Sequence, residues 1–190
     1  QSHTTLLVGL DDLDLHGLAL LQIVRDRIDA LVGNLRNMQQ AVQTAQGLAR
    51  SREHNLIDSL HLLAAMLEQT DGSTQPLLKK LGAPTEAIRQ RVEAGLGRLP
   101  RVSGGAGAEL RLGQSASRAL EAAFKEAEGL KDEYVSTEHL LLAMAADARD
   151  PAGQVLRELG ASREAILEAL KSIRGSSRVT DPDPESKYQA

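Results

Sequence analysis

The chain has 190 residues, 42% hydrophobic and 25% charged, enough to bury a core as one or two compact units. A net charge of −4 and an aromatic content of 2% argue against a nucleic-acid surface, which needs basic phosphate contacts and stacking platforms. The absence of cysteine excludes disulfides and thiolate metal sites, and no apolar run approaches the ~20 residues that span a bilayer. With one Phe, two Tyr and no Trp, packing falls to aliphatic side chains and alanine, which points to helix on helix.

Residues 1–35 stand apart from the rest of the chain. Asp11, Asp12, Asp14, Arg25, Asp26, Arg27 and Asp29 rule out the uncharged core of a signal peptide. A helix is expected from Leu13. Leu21, Val24, Ile28, Leu31, Leu35, Met38 and Val42 form a stripe at alternating spacings of three and four, interrupted at Gly33-Asn34. The stripe suits a helix packed on the next segment. A dimerisation stripe, or a segment foreign to the domain, are the other readings.

Beyond residue 35 the chain repeats itself at an offset of 78 residues. Between 41–88 and 119–166, fifteen positions are identical, among them Ala41/Ala119, Ala45/Ala123, Ala49/Ala127 and His61/His139. Leu62-Leu63-x-Ala65-Met66 returns as Leu140-Leu141-x-Ala143-Met144, and Leu81-Gly82-Ala83 as Leu159-Gly160-Ala161. A duplication of this length fixes the architecture: an all-α, pseudo-twofold pair of four-helix repeats, each burying its apolar face against the other.

The first repeat, 36–97, carries four expected helices. They cover Met38 to Arg50, a stretch capped by Asp58 and running through Leu67, Gln75 to Leu81 closed by Gly82, and Thr85 to Leu96. Residues 98–114, centred on Gly104-Gly105-Ala106-Gly107, read as a glycine-rich linker. The second repeat, 115–173, copies each element. Its helices run from Ser115 to Leu130, from the Ser136 cap with Glu138 in the first turn, from Pro151 to the Gly160 stop, and from Ser162 to about Ile173. The polar, proline-containing stretch 174–190 reads as a flexible tether.

Catalytic motifs are missing. No phosphate-binding loop follows a strand, and the histidines at 3, 16, 54, 61 and 139 show no metal-ligand spacing. His61 and His139 share a place three residues after their caps, where a matched hydrogen-bonding role is expected. Asp132 and Glu138 flank the Tyr134-Val135 loop. They read as loop-ordering or partner-contacting groups rather than an acid–base pair. The residues alone describe an all-helical binding module.

Two runs carry a family likeness. Leu130-Lys131-Asp132-Glu133-Tyr134-Val135-Ser136-Thr137-Glu138-His139-Leu140-Leu141-Leu142-Ala143, with its counterpart Leu56-Ile57-Asp58-Ser59-Leu60-His61-Leu62-Leu63, resembles the amino-terminal domain of the Clp/Hsp100 chaperone ATPases. Arg98 to Gly105, the exit from Ile173 to Asp181 and the closing Lys187 to Ala190 resemble the ClpB disaggregase branch in particular. The likeness spans about 36–190.

This resemblance implies an eight-helix domain tethered to two AAA+ modules of a cytoplasmic hexamer, with ATP bound in those modules and no cofactor in this one. It implies uptake of unfolded or aggregated polypeptide for delivery to the pore, in cooperation with the DnaK system. Nucleic-acid and membrane partners are not implied. By the same resemblance the substrate-contacting positions are Asp132 and Glu138, which match the family's acidic residues. Ala122, Glu126 and His139 stand where groove leucines are expected, and Leu35 stands where a functional Thr is expected. An adaptor-docking domain of a ClpA- or ClpC-like protease chaperone shares the fold and is the alternative, with a helical dimerisation module as a third class.

Overall fold

The computed structural model describes residues 37–102 and 110–174. The 13–36 part of the expected first helix, Leu35, the Gly104–Gly107 cluster and the stretch after 174 lie outside the described residues. Eight helices occur among the described residues: α1 over 37–51, α2 Ser59–Glu68, α3 Thr74–Lys80, α4 Thr85–Leu96, α5 Gln114–Leu130, α6 Thr137–Ala146, α7 Pro151–Glu158 and α8 Arg163–Arg174. The 78-residue offset superposes even backbone details. Left-handed residues fall at Glu53 (φ 60°) and Lys131 (φ 58°), and at Gly82 (φ 70°) and Gly160 (φ 87°).

After a polar first turn, helices α2 and α6 are apolar all round, and that pattern places them in the centre. Ser59–Leu67 and Thr137–Ala145 are buried throughout. The outer helices are amphipathic. Helix α5 turns Ala116, Ala119, Ala123 and Ala127 inward, and these small side chains let it lie close along α6. Helix α1 does the same with Ala41, Ala45 and Ala49.

The halves do not merely abut. Each third helix packs on the other half's fourth: α3 against α8, and α7 against α4. Helix α7 also meets α2, and α3 meets α6, so one continuous core runs through both repeats. Gly153 is required for the close seating of α7 on α6 within the second half. A Cβ there would collide with the Met144 carbonyl of α6.

One feature was not legible in the sequence. Leu56–Ile57 (β1) and Arg111–Leu112 (β2) form a two-stranded parallel pair, with Leu56 opposite Arg111 and Ile57 opposite Leu112. The shoulders of the glycine-rich stretch therefore lie along the 53–57 segment, as Val102 N donating to Glu53 O (2.9 Å) and Gly113 N donating to Ile57 O (2.9 Å) also show. The pair is two residues long on each side, too short for a period-two pattern.

Candidate functional site

A dense cluster of buried polar side chains sits at the head of α6. Helix α5 ends on the left-handed Lys131, whose N–H and that of Asp132 bond back to the last turn. That turn swings the Asp132 carboxylate inward. Three residues after the Ser136 cap, His139 closes a capping box: the Ser136 N–H donates to His139 Nδ1 (2.9 Å) while the Ser136 hydroxyl accepts from the His139 backbone. Because Nδ1 is an acceptor, the proton resides on Nε2, which donates to Asp132 Oδ2 at 2.8 Å.

Arg174, the last residue of α8, completes the cluster. Its Nη1 lies 2.7 Å from the same Asp132 oxygen, and its Nη2 pairs with Glu138 Oε1. Glu138 also accepts from Ser136 Oγ at 3.1 Å, and both carboxylates lie in the favourable field of the α6 N-terminus. The side chains of Asp132 and Glu138 are each 1% exposed and that of His139 is 0% exposed. Asp132, Glu138 and His139 are thus brought together, but inside the molecule, with one guanidinium between two carboxylates.

The first half builds the same corner from different chemistry. His61 closes the α2 capping box, accepting from Asp58 N (2.9 Å). Its Nε2 faces His54 Nδ1 at 2.9 Å, where the second half has Asp132. Burial, then the neighbouring His54, lowers the His61 pKa to about 4; His54 is lowered too, by burial and by Arg52 and Arg101. Leu60 and Leu96, both buried, occupy the places of Glu138 and Arg174.

A second set of polar side chains bridges the two halves. Ser73 Oγ lies 3.1 Å from Thr137 Oγ1. Asp58 Oδ2 accepts from Ser115 Oγ at 2.7 Å. Asp150 hydrogen-bonds the Ser59 side chain of the first half and caps α7 by accepting from Gly153 N at 2.8 Å, and burial raises its pKa to about 6.

The remaining expected positions lie on α5. Ala122 and Glu126 are half-buried. Glu126 is held by Arg163 of α8 in a two-pronged pair, Nε–Oε1 and Nη2–Oε2 both 2.8 Å, which raises the Arg163 pKa. The same helix presents Phe124, the chain's sole phenylalanine, 61% exposed. Leu56 and Leu112 are the other large exposed apolar side chains among the described residues. Leu35 lies outside the described residues.

Sequence reasoning missed Arg174, Arg163, Asp150 and Phe124. For Arg174 a signal existed. It extends the buried Ile166–Leu170 face by one helical turn and stands, at the repeat offset, where the first half has Leu96. A cation at an apolar position implies a buried partner.

Comparisons with known proteins place this geometry. Residues 36–159 match the Clp repeat (R) N-terminal domain family. The chaperone protein ClpB of Rhodopirellula baltica is 43% identical over 164 residues, which cover 86% of this chain and 18% of that protein. ClpB of Mycobacterium leprae is 41% identical over 153 residues, 80% of this chain and again 18% of the relative. The chain thus spans under a fifth of these relatives' length. Among solved structures, the Hsp104 N-terminal domain of Candida albicans superposes with a TM-score of 0.67 at 25% identity, covering 78% of this chain and 96% of that one. The N-terminal domain of the ClpV1 ATPase of E. coli shares the fold, with a TM-score of 0.62 at 22% identity over 86% of this chain and 98% of its own. The chain belongs to the Clp repeat N-terminal domain family, in a form similar to that of the ClpB chaperones.

Proposed function

We propose that this domain recognises substrate for a ClpB-like, ATP-dependent disaggregase, gripping unfolded or aggregated polypeptide and leaving ATP chemistry to AAA+ modules. The whole assembly would be hexameric, cytoplasmic and assisted by the DnaK system. The observation that carries the binding role is Phe124. An aromatic side chain 61% exposed on a helix whose other face is buried offers apolar contact to an extended chain, and the half-buried Leu120 lies one turn before it on the same side. Asp132 and Glu138, sealed beneath Arg174, act from inside, as supports of the α5–α6 corner.

Binding is expected to be weak, since ordering a disordered partner costs several kcal/mol. Titration of the 190-residue chain with unfolded casein should shift α5 amide resonances with micromolar or weaker affinity. Phe124→Ser should weaken binding about ten- to a hundredfold, from the loss of roughly 1.5–3 kcal/mol of aromatic burial. Failure of casein to shift any resonance sinks the proposal. Tight binding of a small folded adaptor with indifference to casein favours the adaptor-docking alternative. Sedimentation as a dimer at tens of micromolar would favour the third class.

A further inference from the structure

The two halves anchor their last helices by different physics. At the end of α4, Leu96 is fully buried, and Leu60 packs so closely beneath that a Cβ on Gly95 would lie 2.8 Å from its Cδ1. The backbone there continues in further turns, with Gly97 N, Arg98 N and Leu99 N donating to Glu93 O, Gly95 O and Leu96 O, and Leu99 packs on the core. At the end of α8 the same seat holds Arg174 between Asp132 and Glu138. The fold does not demand charge here, because the first half fills the equivalent seat with leucines.

Opening the two anchors has different consequences. Peeling an apolar anchor exposes apolar surface at roughly 25 cal/mol per Å² with nothing in return. Peeling a buried ionic anchor returns the hydration of three charged groups, a large term that offsets the lost pairing. Replacing such clusters by apolar residues is often neutral or stabilising, whereas removing one partner is not. The ionic seat is therefore the one that opens more readily.

We propose that Arg174, clamped by Asp132 and Glu138, is a releasable latch holding the last turn of α8 on the head of α6. Opening it frees the last turn of α8, residues 171–174, from the head of α6. The latch is independent of what the α5 face binds.

The test grafts the first half's chemistry onto the second: Asp132→His, Glu138→Leu and Arg174→Leu together, reproducing His54, Leu60 and Leu96. Hydrogen exchange at 171–174 should slow at least tenfold, with exchange at 93–96 unchanged as the internal control. Arg174→Lys keeps one charge but cannot fork to both carboxylates, and should speed exchange at 171–174 about tenfold. A folded graft with unchanged or faster exchange at 171–174 overturns the latch. A graft that fails to fold also overturns it, since the seat would then require charge. Unchanged exchange in Arg174→Lys has the same force.

Discussion

His54 Nδ1 lies 2.9 Å from His61 Nε2, buried at the place where the second half sets a carboxylate against its histidine. Between two imidazoles one proton is shared, and a second would put two positive charges side by side in a desolvated corner. Both groups are accordingly held neutral.

This arrangement makes the corner sensitive to acid. The His61 pKa falls from 6.5 to about 4 on folding, so its contribution is fully present above pH 6.5 and lost as pH drops towards 4. The full effect is on the order of 3 kcal/mol. His61→Gln keeps an acceptor for the Asp58 N–H and removes the titration. Its urea midpoint should fall less than that of the unaltered chain between pH 7 and 4.5; a parallel decline would show that His61 does not carry the acid sensitivity.

Asp150 works in the opposite direction. Its pKa rises from 3.8 to about 6, so the contribution of its protonated form is present below pH 3.8 and lost as pH climbs to 6. At neutral pH the chain therefore holds an anion that is 1% exposed. Asp150→Asn retains the oxygen that caps Gly153 N without the charge. Thermal or urea denaturation should show it about 1–2 kcal/mol more stable at pH 7.5 and no more stable near pH 4. Because the Asp150 and His61 windows overlap with opposite signs, the unaltered chain should have a shallower profile between pH 4 and 6 than either group alone would produce.

Gly153 tests the packing of α7 on α6. Its added Cβ would meet the Met144 carbonyl, a backbone atom that cannot rotate away, so α7 must shift off α6. Gly153→Ala should cost about 2–4 kcal/mol by urea denaturation, although alanine is the better helix former. Gly129→Ala, which meets nothing within 4 Å on an exposed face of α5, should be neutral or stabilising.

Lys131 tests the corner itself. A lysine at φ 58° bears the steric cost of the left-handed region, which glycine does not. Lys131→Gly should raise stability by about 1 kcal/mol, read as a higher melting temperature, with the Asp132–His139 bond intact. A drop in stability would mean that the lysine side chain contributes more than its backbone conformation costs.

Periodicity and punctuation revealed most of the fold. The alanines of α1 and α5, the caps at Asp58 and Ser136, the stops at Gly82 and Gly160 and the Pro151 start are local signals, and the structure puts each helix within a residue or two of where they lie. The capping role of His61 and His139 was legible for the same reason, since a helix's first turn is decided by residues three apart. The β1–β2 pair was not, because two residues pair here with two others more than fifty positions away.

By itself the sequence determined that two equivalent helical units exist and where their helices begin and end, because hydrogen bonding within a helix and its caps is settled by near neighbours. Only the tertiary structure decided which side chains face water. It turned Asp132 and Glu138 inward beneath an arginine from 36 to 42 residues further along, left Phe124 outside, and threaded each half's third helix against the other's fourth. Burial depends on what arrives from elsewhere in the chain, and a carboxylate reads the same in a sequence whether its partner is a guanidinium or water.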